Sequence, residues 1–284
     1  MNEPRPAVDI VVARAALRRS ADDVIALLRS ASDPETPVPG SDWTVGDVAA
    51  HLALGTEAYL GYATGGTDPF VDVSDVAGGS LTRTSQARLD AEPERDLAAL
   101  AERIEVAVTA LLRASEDRAG DEVVTWNGQK VSLGAMLGIA VAEYVLHGQD
   151  MAQALSRPWT IRPDDARLVL ASALPMLPLL VDPVATKDVR ATYDLRVRGG
   201  ARVTVAIDHG ALAVVDADET GVGRAPDKAG SGSADCRISA DPVALLLVAY
   251  GRTSQWRPIL TDKLVAWGRR PWLGLRFVRY LVVP

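Results

Sequence analysis

Residues 132–156 read SLGAMLGIAVAEYVLHGQDMAQALS, and this stretch decides the fold of the first half of the chain. Its apolar residues recur every three or four positions, which is the spacing of a helix face directed towards a core. Glu143 and His147 share that face, four residues apart and one above the other. Because an unpaired buried charge costs several kcal/mol, this pair needs compensation. A divalent metal ion would supply it.

His51 is a plausible third ligand. Thr44 and Asp47 form a capping-box pattern, which predicts a helix that carries His51 in its second turn. Two of the three histidines in the chain thus lie on predicted helices beside apolar neighbours. Two imidazoles and one carboxylate suit Zn²⁺, Ni²⁺ or Fe²⁺, and three protein ligands leave a coordination position open, as in catalytic sites. The alternative is a core glutamate–histidine pair that is unrelated to His51.

The first half of the chain shows the periodicity of four helices joined by loops. This pattern predicts a four-helix bundle over residues 1–157, and bundles commonly build metal sites from inward-facing side chains. The predicted helices are residues 9–30, a segment from Thr44 to about Gly61–Gly66, a segment from Leu81 to about Leu112 that is interrupted before Pro93, and residues 132–156.

After Pro158 the pattern becomes mainly one of alternation, which predicts a second domain over residues 158–284. We expect one mainly antiparallel sheet with helices, so that the whole chain is an α+β protein with two domains. Strands are predicted over 190–197, 202–207, 212–217 (after a turn at Asp208-His209-Gly210) and 236–240, and a loop over 216–234. Helices are predicted over 164–177 and 242–250, followed by a tail with a short strand and a last helix containing Trp272 and Phe277.

The composition argues against several classes of function. A net charge of −7 repels phosphate backbones, and no Lys/Arg stripe with interleaved aromatic residues is present, so no nucleic acid partner is expected. The longest apolar runs are broken by prolines and are too short for a membrane span, and the N-terminus lacks a secretory pattern. The lone cysteine, Cys236, agrees with a reducing cytoplasm and is expected to be buried and inert. A thiol reaction would therefore use a thiol brought in as a co-substrate.

The spacing of the candidate ligands is also that of a known family. Pro39, then Trp43-Thr-Val-x-Asp47-x-x-x-His51-Leu52 and, about ninety residues later, Glu143-x-x-x-His147-x-x-Asp150 resemble the mycothiol-dependent maleylpyruvate isomerase family. That family belongs to the wider group of DinB-like metal-binding bundles, and the resemblance covers about the first 155 residues.

The resemblance continues more weakly into the second half. Asp241-Pro-x-x-x-Leu-Leu-x-x-x-x-Gly251-Arg252 is similar to a sterol-carrier-protein-like domain. Where such domains often show Gly-Asp near the end, this chain has Trp267-Gly268-Arg269-Arg270. The departure weakens any expectation about substrate contacts from this domain.

The resemblance implies a chemistry that agrees with the candidate ligands. His51, Glu143 and His147 would bind zinc, and mycothiol would be the low-molecular-weight thiol co-substrate. Its thiolate would add to a small-molecule electrophile with an activated double bond. Elimination after rotation would give a cis-to-trans isomerase, whereas a stable thioether would make the protein an S-transferase.

Four further residues have two interpretations each. Asp47 and Asp150 could each orient the neighbouring histidine, or could be a helix cap and a solvated surface residue respectively. Arg252 is the candidate catalytic residue, since it could bind a substrate carboxylate in bidentate fashion, but it could also be a surface arginine at a helix end. Trp43 is interpreted as bundle packing rather than substrate contact.

Two other functions remain open at this point. One is a non-catalytic small-molecule or lipid-binding protein in which a metal only braces the bundle. Its support is the apolar tail with Trp256, Trp267 and Trp272, although such tryptophans favour core positions. The other is a thiol-exchange enzyme of a specialised biosynthetic pathway.

Overall fold

The computed structural model describes residues 8–71, 80–216 and 234–282, and these residues form two compact units that divide between Ser172 and Ala173. The helices are α1 (Ile10–Ser30), α2 (Val45–Ala63), α3 (Ser80–Ala91), α4 (Leu97–Ala114), α5 (Leu133–Ala154), α6 (Pro163–Ala173), α7 (Leu177–Leu180), α8 (Pro183–Thr186), α9 (Pro242–Ala249) and α10 (Trp256–Leu260). The strands are β1 (Val123–Trp126), β2 (Gln129–Ser132), β3 (Arg190–Val197), β4 (Arg202–Asp208), β5 (Ala211–Asp216), β6 (Cys236–Ala240) and β7 (Leu264–Trp267).

The first unit is mainly helical, as the sequence predicts. Helices α1 and α2 each pack against both α4 and α5, and α3 packs against α2. The predicted interruption before Pro93 separates α3 from α4. The largest fully buried apolar side chains of this unit include Leu17, Leu28, Leu52, Leu100, Ile104, Leu111, Met136, Leu137 and Met151.

Side-chain caps fix where the site-bearing helices begin. Thr44 and Asp47 form the predicted capping box at the start of α2, with reciprocal bonds between each side chain and the other's backbone N–H. The hydroxyl of Ser132 accepts from the N–H of Ala135 at the start of α5. Caps of this kind contribute about 1 kcal/mol each.

A β-hairpin that the sequence analysis did not predict lies between α4 and α5. Strands β1 and β2 pair antiparallel, with Asn127 and Gly128 at the turn at φ values of +46° and +75°. Two left-handed residues are the requirement of a type I′ hairpin turn, which Asn-Gly satisfies. Asn127 is buried, and its Oδ1 accepts a hydrogen bond of 2.7 Å from the hydroxyl of Tyr62.

Residues 158–172 belong to the first compact unit, although the composition changes at Pro158. Two ion pairs of 2.8 Å connect this segment to α1, namely Arg162 with Asp23 and Arg19 with Asp165. The contacts therefore place the division between the two units after Ser172, near the end of α6, whereas the sequence pattern predicts it at Pro158.

The second unit contains a five-stranded sheet in the order β5-β4-β3-β6-β7. Only the β3–β6 pair is parallel, so the predicted, mainly antiparallel sheet is confirmed. His209 and Gly210 form the predicted turn between β4 and β5, at φ values of +46° and +91°. Residues 217–233 of the predicted loop lie outside the described residues.

The tail of the second unit differs from the prediction. A helix α10 precedes the predicted strand, and the expected last helix is instead two 3-10 helices, Pro271–Leu275 and Phe277–Tyr280. Pro271 and Gly274 explain the difference, because both residues disfavour a continuous α-helix. Gly274 also lies close to β7, where an added Cβ would stand 2.5 Å from the Cβ of Ala266.

The expectation of core tryptophans in the tail is wrong. Trp256, Trp267 and Trp272 are 55%, 43% and 54% exposed. They therefore supply no apolar interior for a ligand. Among the described residues, no helix combines the length and the apolar character that a membrane span requires.

Candidate metal centre

The structure brings the three predicted ligands together. The Nε2 atoms of His51 and His147 lie 3.3 Å and 3.4 Å from Oε2 of Glu143. The two imidazole rings have centroids 4.9 Å apart in an edge-to-face arrangement. His51 is on α2 and the other two residues are on α5, so the site forms only where these helices pack.

The spacing of the ligand atoms fits one divalent ion. Zinc bonds of about 2.0–2.1 Å in a tetrahedral arrangement place neighbouring ligand atoms about 3.3–3.4 Å apart. Both nitrogen-to-carboxylate distances match this value, and all three ligand atoms lie within 4.8 Å of one another. Two histidines and one glutamate are a donor set of catalytic zinc sites, which keep a fourth position for solvent or substrate.

The electrostatics favour an ionised carboxylate between the rings. Burial opposes ionisation of Glu143, but hydrogen bonds from His147 and His51 outweigh it and hold the pKa of Glu143 far below its usual value. For His51, burial lowers the pKa, and the charges of His147 and Arg88 act in the same direction. His51 is thus held in the neutral form that binds metals.

His147 has a carboxylate on each side. Burial disfavours its cation, but hydrogen bonds to Asp150 and Glu143 outweigh this and raise the pKa of His147 to about 9. Its Nδ1 lies 3.4 Å from Oδ2 of Asp150. Without a metal, both ring nitrogens therefore carry protons at neutral pH. A divalent ion would displace the proton on Nε2, while Nδ1–H stays directed at Asp150 and fixes the tautomer that ligation through Nε2 requires. The orienting interpretation of Asp150 is thereby favoured.

Asp47 serves a different purpose. Its Oδ2 accepts from the N–H and hydroxyl of Thr44, at 2.9 Å and 3.0 Å, and its Oδ1 accepts from Nε of Arg95 at 2.8 Å. These bonds use both carboxylate oxygens for the helix cap. The cap interpretation of Asp47 is therefore the one that the geometry supports.

Trp43 lies against the site rather than only within the helical packing. Its ring centroid is 5.1 Å from that of His51 and 6.3 Å from that of His147. The indole Nε1 donates to Oε1 of Gln86 at 3.2 Å, which ties the ring to α3. The indole thus covers one side of both imidazoles.

A buried pair behind the site was missed by sequence reasoning. The hydroxyl oxygens of Thr56 on α2 and Tyr144 on α5 lie 2.6 Å apart and so connect the two helices. Tyr144 directly follows Glu143 in the sequence. Burial raises the pKa of Tyr144 above its usual value, so this hydroxyl keeps its proton. The available signal was a tyrosine adjacent to a candidate ligand on an otherwise apolar helix.

The centre is open on one side. The side chains of His51 and His147 are 12% and 17% exposed, whereas that of Glu143 is 32% exposed. Solvent or a small molecule can therefore reach the carboxylate. The predicted catalytic residue, Arg252, is an exposed residue of the second unit whose Nη1 donates to the carbonyl of Tyr250 at 2.8 Å.

Comparisons with known proteins give a family match for most of the first unit and a similar fold for the whole chain. Residues 14–152 match the family model described as "Mycothiol maleylpyruvate isomerase N-terminal domain". Two crystal structures, those of the mycothiol-dependent maleylpyruvate isomerase and of its histidine-to-alanine mutant, resemble the chain with TM-scores of 0.52 and 0.54 at 15% identity. Each match covers 91% of this chain and 92% of the other, and it shows a shared fold. No curated protein sequence matches the chain.

Proposed function

Through residues 14–152 the chain belongs to the mycothiol maleylpyruvate isomerase family, and from this premise we propose that it is a metal-dependent enzyme with mycothiol as its thiol co-substrate. The observation that carries the proposal is that Nε2 of His51 and Nε2 of His147 lie 3.3 Å and 3.4 Å from Oε2 of Glu143, which is the separation of neighbouring ligand atoms around one zinc ion. Zinc is the proposed ion, because this donor set occurs in catalytic zinc sites.

The protein residues hold and shape the centre. His51, Glu143 and His147 would hold the ion, Asp150 orients His147, and the indole of Trp43 keeps water from one side of the rings. A divalent ion in this place would lower the pKa of a thiol bound to it and so would supply thiolate at neutral pH. The exposed side of Glu143 is where the thiol and the electrophile would approach.

The thiolate reaction has two outcomes. Sulfur forms a bond to one carbon of an activated double bond, which becomes a single bond and can rotate. If the C–S bond then breaks, the double bond re-forms in the trans geometry and the thiolate is released unchanged, which is isomerisation. If the neighbouring carbon takes up a proton instead, the thioether persists and the reaction is S-transfer. Proton delivery decides between the two.

The second unit has a supporting role in this proposal. We retain the sterol-carrier-protein-like interpretation of the second domain, predicted over residues 158–284, and Arg252 as a candidate for substrate contact, as proposals that rest on the sequence motif. The non-catalytic alternative is less favoured, because the tail tryptophans on which it relied are exposed.

Metal analysis tests the proposal directly. We expect about one zinc per chain in the purified protein, and its loss in His51→Ala and His147→Ala. His209→Ala is the matched control, since the third histidine is an exposed turn residue outside the centre. A metal content near zero in the wild type, or an equal loss in the control variant, would refute the metal centre.

A thiol-consumption assay with mycothiol and an electrophilic alkene tests the chemistry. Turnover should disappear in His51→Ala while the circular dichroism spectrum is retained. Cys236 is buried with a pKa that burial raises, so it should contribute no background, and Cys236→Ser controls for it. Metal binding without any turnover would instead favour the non-catalytic alternative.

A further inference from the structure

Large apolar side chains are exposed together on the second unit. On α10, Trp256 and Leu260 are four residues apart and so share one helix face, and they are 55% and 84% exposed. In the 3-10 helix Pro271–Leu275, residues three apart eclipse one another, so Trp272 and Leu275 also share a face, at 54% and 36% exposed. A group of such side chains in water marks a contact surface.

The two exposed faces meet. The side-chain Nε2 of Gln255, which directly precedes Trp256, donates to the carbonyl of Leu275 at 3.3 Å. This bond brings the start of α10 against the end of the 3-10 helix. The buried residues of that 3-10 helix are Leu273 and Gly274, and Gly274 lies against β7. We call the exposed set the tryptophan stripe, and its members are Leu260, Trp256, Leu275 and Trp272.

The stripe lies in a basic part of the chain. Residues 251–284 contain seven lysines and arginines and one acid, which is a net charge of +6. The whole chain has 30 basic and 37 acidic residues, so residues 1–250 have 23 and 36, a net charge of −13. Four exposed cations within four residues of the stripe form no ion pair in the part of the chain that the structure describes: Arg257, Lys263, Arg276 and Arg279.

Protruding apolar side chains beside unpaired cations fit the surface of an anionic lipid bilayer. Indole rings are favoured where headgroups meet acyl chains, leucine side chains gain from the acyl region, and each cation adds attraction to anionic lipids. A nucleic acid would use the cations but would leave Leu260 in water. A second copy of the same surface would bring like charges together.

We propose that the tryptophan stripe docks the protein on an anionic membrane surface, with Trp256 and Trp272 at the level of the headgroups. The four cations would lie against lipid phosphates. The charge distribution orients the approach, because the bilayer attracts residues 251–284 and repels the acidic remainder. The sequence-based expectation of no membrane partner considered only spanning segments, and a protein that lies on a bilayer needs none.

Flotation of the full-length protein with lipid vesicles tests the proposal. Vesicles of equal parts phosphatidylcholine and phosphatidylglycerol should carry the protein, and vesicles of phosphatidylcholine alone should not. High salt should release it by screening the attraction. Trp256→Ser/Trp272→Ser should bind the anionic vesicles about 10- to 100-fold more weakly, because two large apolar side chains no longer leave water.

Trp267→Ser is the matched control, because it removes an exposed tryptophan of the same unit from another face. Ala266 faces Gly274, so Trp267, the next residue of β7, points to the opposite side of the sheet. This variant should bind the anionic vesicles as the wild type does. Lipids brominated on their acyl chains should quench part of the tryptophan emission of the wild type and of this control, but not that of the double variant.

Leu260→Ser separates a bilayer from other polyanions. It changes only a side chain that is 84% exposed, so thermal unfolding should be unaltered. Vesicle binding should weaken about threefold through the lost apolar contact, whereas any binding of single-stranded DNA should be unchanged.

Absence of flotation of the wild type, an equal loss in Trp267→Ser, or quenching that the double variant retains would overturn the proposal. Vesicle binding that Leu260→Ser leaves unchanged would do so too, because it would indicate a general polyanion surface. Self-association that the double variant abolishes, without vesicle binding, would assign the stripe to a second copy of the chain and would equally overturn it.

Discussion

Replacement of Asp150 should weaken metal binding without unfolding the protein. The side chain of Asp150 lies 3.4 Å from Nδ1 of His147, and both side chains are 17% exposed. Outer partners of metal-bound histidines usually contribute 10- to 100-fold in affinity. The contact is longer than the usual hydrogen bond of about 2.9 Å and is partly screened by solvent, so the lower end of that range applies.

We therefore expect Asp150→Ala to reduce zinc affinity about tenfold, equivalent to about 1.4 kcal/mol. Asp150→Asn should lose less, because the amide oxygen still accepts from Nδ1–H. The measurement is competition for zinc with a chromophoric chelator at fixed pH, with thermal unfolding recorded in parallel.

Asp47→Asn is the control, because Asp47 is the other aspartate that the sequence places near a ligand histidine. Its carboxylate bonds to Thr44 and Arg95, so zinc affinity should be unchanged while stability falls by about 1 kcal/mol through the weakened cap. An equal loss of affinity in the two aspartate variants, or none in Asp150→Ala, would refute the orienting role.

Two further predictions concern stability. Gly148→Ala would place a Cβ 2.1 Å from a ring carbon of Trp159, so it should lower the free energy of unfolding in urea by about 1–3 kcal/mol. Gly61→Ala is the control, because its added Cβ would meet nothing within 4 Å and should be neutral or stabilising. Similar unfolding midpoints for the two variants would contradict the packing around Gly148. Hydrogen bonds from Arg202 are the largest cause that lowers the pKa of Asp194. The stability that this pair contributes is therefore present above the unfolded pKa of about 3.9 and is lost as the pH falls through the lower folded pKa. In acid titration, the free energy of unfolding of Asp194→Asn should fall less steeply than that of the wild type.

Much of the local structure could be predicted from the sequence. Helix α1 and the starts of α2 and α5 follow from periodicity and, for α2, from the capping box at Thr44. The strands β3 to β6 follow from alternation and turn residues. These features depend on interactions within a few residues, so each short segment carries its own signal. The prediction for the tail was wrong because short 3-10 helices leave no distinct periodicity in the sequence.

The sequence by itself determined which residues are able to bind a metal, because Glu143 and His147 are placed four apart by the helix itself. Only the tertiary structure decided that His51, more than ninety positions earlier, reaches the same carboxylate. It also showed that Asp150 lies against His147 whereas Asp47 caps α2. The physical reason is that side-chain contacts between distant segments arise from how helices pack, and packing leaves no local pattern.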